Sequence, residues 1–149
     1  MAKKTYSDEL QRALARPDAD RMRQQLYAYA LHHDGDFDDL PEDFEEIIAC
    51  HVHDPEKALA YVIIAASQSD DAAFLGSMGC GPLEDILRDP SAELLERIVA
   101  EARKSARFRW LLSNPFKVAI AARAWEAIEK FRMTGPHEEA PYEALPPRL

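Results

Sequence analysis

At 149 residues, with 47% hydrophobic and 30% charged side chains, the chain has the length of one folded domain and is too apolar for a disordered one. Its longest apolar run, Ala58–Ala66, is nine residues, less than half of the roughly 20 that a membrane span needs. The net charge of −9 is local: residues 1–23 carry +2, 24–56 carry −10 and 57–149 carry −1. No Lys or Arg stands between Arg23 and Lys57, and such a block binds cations, binds a basic partner, or keeps a surface soluble.

Apolar residues recur at three- and four-residue steps and no β-branched alternating run occurs, a pattern that predicts an all-α fold. A short helix is expected over Ser7–Ala15. Pro17 precedes a second from about Asp18, with Met22, Leu26, Tyr29 and Ala30 on one face and His32-His33-Asp34-Gly35 after it. Leu40-Pro41-Glu42-Asp43 sets proline and two acids in a first turn, where a missing N–H costs little and negative charge suits the dipole, and a third helix runs from there to about His53. Asp54-Pro55-Glu56 repeats the signal and opens a nearly wholly apolar helix through Ser67, the expected centre of the core.

Ser69-Asp70-Asp71 is expected to cap a short helix ending at Gly76–Gly79, and Pro82 to open the next, with Leu83, Ile86 and Leu87 inward. Asp89-Pro90-Ser91 starts another whose stripe is Leu94, Leu95, Ile98, Val99 and Ala102. Phe108, Leu111 and Leu112 belong to a short helix closed by Asn114-Pro115, and Val118–Phe131 reads as a last, Ala-rich helix around Trp125. The prolines at 136, 141, 146 and 147 end regular helix, so residues 1–133 read as a single all-α domain and 134–149 as a Pro-rich tail, extended or disordered. Short linkers make neighbouring helices antiparallel. The step from Pro41 to Pro82 suggests either a short HEAT-like stack of helix pairs, slightly favoured, or a compact multi-helix bundle.

The stretch from Asp54 through Phe74-Leu75-Gly76-Ser77-Met78-Gly79-Cys80-Gly81-Pro82-Leu83-Glu84-Asp85-Ile86-Leu87, with Arg107-Phe108-Arg109 further on, resembles a family of small bacterial proteins of unknown function. That family is marked by Gly-Pro-Leu-Glu-Asp-Leu-Leu and a later Arg-Phe-Arg, and the resemblance covers roughly residues 54–112. It implies an all-helical domain and carries over no catalytic residues. Ser113-Asn114-Pro115-Phe116 departs from the Gly-Val-Trp-like element expected after Leu112.

The remaining motifs each have a plainer reading beside the functional one. Gly79-Cys80-Gly81-Pro82 has the look of a phosphate turn, but Pro82 removes an N–H and Glu84 and Asp85 repel anions, so a hinge between helices is expected. Asp34-x-Asp36-x-Asp38 with Glu45 at the twelfth position follows calcium-loop spacing, yet Asp39 stands where glycine makes the sharp turn and Pro41 stands at the eighth position. That favours an acidic linker. His32-His33 and Cys50-His51-x-His53 match no zinc spacing and suit helix C-termini. Nucleophile-elbow, metalloprotease and P-loop motifs do not occur. Arg103, Lys104, Arg107, Arg109, Lys117 and Arg123, interleaved with Phe108, Trp110 and Phe116, form a basic pole. The overall charge and the core spacing of those aromatics favour a solvated face, self-pairing with the acidic segment or a protein contact over nucleic acid.

The expectation is thus a protein–protein interaction module whose acidic surface, Asp34, Asp36, Asp38, Asp39, Glu42, Asp43, Glu45 and Glu46, meets a basic partner, with an inhibitor or immunity-type protein as one form. No catalytic residue, metal or cofactor is assigned, and a homo-oligomer is compatible with the sequence. The competing class is a metal-dependent or nucleic-acid-linked enzyme using His51, His53 and nearby carboxylates. The opening Met1-Ala2-Lys3-Lys4, followed by Ser7-Asp8-Glu9, has no apolar leader core, so a cytoplasmic location is expected. Cys50 and Cys80 are then expected as reduced, small core hydrophobes.

Overall fold

The computed structural model describes residues 8–32 and 44–148. Its elements are α1 (Asp8–Leu14), α2 (Ala19–His32), α3 (Phe44–Ala49), α4 (Pro55–Gln68), α5 (Ala72–Met78), α6 (Glu84–Leu87), α7 (Ala92–Lys104), α8 (Ala106–Leu112) and α9 (Ala122–Ile128). Short 3₁₀ turns follow α3 and α9, and another lies at Tyr142–Ala144. The described residues contain no strand, and the fold is all-α.

Helix α4 is apolar on every side because every side is covered. Ala58 through Ala65 are all buried, and α1, α2, α3, α5, α6 and α8 pack around them. A helix enclosed in this way is the axis of a compact bundle, whereas a stack of repeats would let each helix pair touch only its neighbours. The compact arrangement is therefore the one adopted. Its helix starts are the polar residues expected to make them. Asp54 accepts the Lys57 amide at 3.0 Å, Asp71 the Phe74 amide at 3.2 Å, and Ser91 the Leu94 amide at 3.1 Å. Ser105 ends α7 and caps α8 through the Phe108 amide at 3.1 Å, so these two helices join without a spacer.

Three expectations change. Pro82 does not open a helix. Residues Gly79–Leu83 form a π-turn that carries α5 into α6 without a break, the Glu84 amide reaching back to the Gly79 carbonyl. The wider turn accommodates the proline that an α-helical turn would reject. The supposed hinge is thus a continuous helical segment, fixed by the buried Leu83, Ile86 and Leu87 against α4. Glycine is needed at 79 because this segment crosses the end of α8, where a Cβ would stand 2.7 Å from the Leu111 carbonyl oxygen.

The last helix begins later than its alanines suggest. Val118 lies in a 3₁₀ turn, 82% exposed, and regular helix covers only Ala122–Ile128. The Ala121 amide bonds instead to the Leu87 carbonyl at the end of α6, at 3.1 Å. The proline-rich tail forms no regular α-helix, turns once at Tyr142–Ala144, and lies along α5 and α8. Asn114 Oδ1 accepts the Ala140 amide at 3.1 Å, Trp110 Nε1 donates to the Pro141 carbonyl at 2.9 Å, and Arg107 Nε donates to the Pro146 carbonyl at 2.8 Å.

Candidate functional site

The expected acidic surface begins where α2 ends and resumes in α3. Asp34, Asp36, Asp38, Asp39, Glu42 and Asp43 lie outside the described residues, as do His33 and most of the calcium-loop spacing. Glu45 and Glu46 are described, and α3 separates their roles. Ile47 is the buried residue of this short helix, and Glu45 is exposed. Glu46 turns back toward the body of the protein, where it pairs with Lys57 and accepts Gln25 Nε2 at 2.9 Å. Arg21 lies 3.4 Å from it.

Behind Glu46 the network runs to the core. Gln25 is buried, and its Oε1 accepts the hydroxyl of the fully buried Tyr61 at 2.6 Å. Lys57 also reaches Asp18 at 3.3 Å, and Arg16 holds Asp18 at 3.0 Å. Bonds from Lys57 and Gln25 keep the Glu46 carboxyl below its usual range, and Arg16 does the same for Asp18. Both remain charged anchors at neutral pH. Glu46 thus locks α3 to α2 and α4, and Glu45 is the member of the pair that faces outward.

The outer side of α2, which precedes the acidic segment in the sequence, adds apolar surface. Met22 and Leu26 point into the core, leaving Tyr27 and Leu31 52% and 81% exposed one helical turn apart. Val52, in the turn after α3, is 67% exposed. The heptad-like stripe of α2 was legible, but this second pair was missed. Its signal is the i, i+4 spacing of two large apolar residues off the inward face.

Of the histidines and thiols, His51 and Cys50 are held by the end of α3. His51 Nδ1 lies 3.1 Å from the Ile48 carbonyl and 3.8 Å from Asp85, and His53 is exposed. Cys50 and Cys80 are free thiols, half-buried. Burial pushes Cys50 up to about 11, and burial with Glu139 beside it pushes Cys80 up to about 12. Among the described residues no three His, Cys, Asp or Glu side chains gather as a metal-binding group.

The basic pole is distributed among structural tasks. Lys104 pairs with Asp8 at 2.7 Å, Arg123 with Asp89 at 2.8 Å, and Arg109 donates to the Ala102 carbonyl at 2.8 Å. Arg107, only 7% exposed, ties the Ala66 and Ser69 carbonyls, Asp70 and the tail together. Phe108 and Trp110 are buried, so their faces belong to the core. A second internal ion cluster joins α1 to α4 and α7. Arg97 grips Glu9 through two bonds of 2.8 and 2.9 Å and also pairs with Glu56.

Residues 33–135, more than half of the chain, match a family of unknown function (DUF6869), and the protein belongs to that family. Searches among curated proteins and among solved structures find no match. The matched region takes in the acidic segment, α3 to α9 and the π-turn, and leaves α1, α2 and the tail beyond Gly135 outside it.

Proposed function

We propose that this chain is a non-enzymatic, cytoplasmic protein-binding module that grips a basic surface through Asp34, Asp36, Asp38, Asp39, Glu42, Asp43 and Glu45, with Glu46 anchoring α3 from within and Tyr27 and Leu31 supplying the adjoining apolar contact. An inhibitor or immunity-type protein that masks a cationic active site is the concrete form. The observation that carries this reading is the segregation of charge, −10 over residues 24–56 with no Lys or Arg among them. The flanking cations Arg16, Arg21 and Lys57 are engaged by Asp18, Asp54 and Glu46. Glu46 and Asp54 are thereby used within the protein, and the surplus offered to a partner rests on the other acids of the segment. A mixed acidic and apolar patch suits protein recognition, with charge steering encounter and the aromatic residue holding the complex. The Gly81–Leu87 stretch as the family's marker and a bacterial source belong to the same proposal.

The test is a pull-down at low salt followed by association kinetics with the recovered partner. Replacing Asp36, Asp38 and Asp39 with Asn should slow association about tenfold and change dissociation less, and raising the ionic strength should mimic it, because exposed charges are screened within about 8 Å at physiological salt. Tyr27→Ala should instead speed dissociation. If the triple variant associates as fast as the unaltered chain with every partner recovered, acidic recognition is wrong.

A further inference from the structure

We draw no further inference here: the strongest candidate, the cleft between α5 and the C-terminal tail, is walled mostly by the tail's own Tyr142, Leu145, Pro147 and Arg148, and nothing in the structure shows what covers it.

Discussion

Gly79 and Leu111 approach so closely that a Cβ on the glycine would lie 2.7 Å from the leucine's carbonyl oxygen, with the Asn114 Cβ at 2.9 Å. Backbone cannot move aside as a flexible side chain can. Gly79→Ala should therefore cost about 1–3 kcal/mol by overpacking, whereas Gly81, whose Cβ would meet nothing within 4 Å, should accept alanine without loss. Urea denaturation of the two variants checks this. Equal stabilities would mean that the π-turn does not sit against α8 as described.

Ile86 is 3% exposed against α4, and Ile86→Ala should destabilise by about 2–4 kcal/mol through lost transfer energy and a residual cavity. Glu84 and Asp85 beside it are unequal. Glu84 accepts the Phe116 amide at 3.1 Å, a bond that glutamine's oxygen can retain and alanine cannot. Glu84→Gln and Asp85→Asn should each cost under about 1 kcal/mol, and Glu84→Ala about 1–3 kcal/mol. Melting of the three variants separates a helix-dipole effect from this specific bond.

The all-α class, the core helix, the caps at Asp54 and Ser91 and the inward face at Leu83, Ile86 and Leu87 were legible because each depends on local spacing or a local polar side chain. Pro82 misled for the opposite reason. Whether a proline ends a helix depends on whether neighbouring backbone can absorb it, and α8 pressing on Gly79 is a tertiary fact. Arg107 likewise read as surface charge, because nothing in Arg107-Phe108-Arg109 says which of two arginines turns inward. In the candidate site, Glu45 and Glu46 are equivalent in sequence, and only the long-range partners Gln25 and Lys57 distinguish them.

The Glu46 network gives a signed pH dependence. Glu46 and Asp18 are both held below their ordinary values of 4.5 and 3.8. Their contribution is therefore present above those values and lost as pH falls through the lowered ones. Lys57, raised above 10.5 by its carboxylate partners, loses its share only as pH climbs through its raised value. Glu46→Gln should lower stability at pH 7 by about 1 kcal/mol, a small figure because the pair is partly exposed, and should flatten the fall in Tm between pH 5 and 3. An unchanged acid limb would remove Glu46 from the account.

Thiol chemistry offers an independent check. With Cys50 at about 11 and Cys80 at about 12, the reactive thiolate is scarce at pH 8. A disulfide reagent should titrate both cysteines slowly in the folded protein and two at once in denaturant. Rapid reaction of either in the native state would contradict its burial.

The Arg97 clamp on Glu9 has a practical consequence for where the chain can be cut. Glu9 precedes the matched family region, yet α1 packs on α4 and α7, and Leu10, Ala13, Met22 and Leu26 of the first two helices are all buried. A fragment trimmed to residues 33–135 would bare the flank of α4 and leave Arg97 without its two-bond partner. Such a fragment should be recovered as aggregate, because the boundary of shared sequence falls inside the unit that folds. Trimming at the other end removes a strap whose single buried side chain is Ala140. The two ends of one family match are therefore unequal places to cut: folding reaches past the first and ends close to the second.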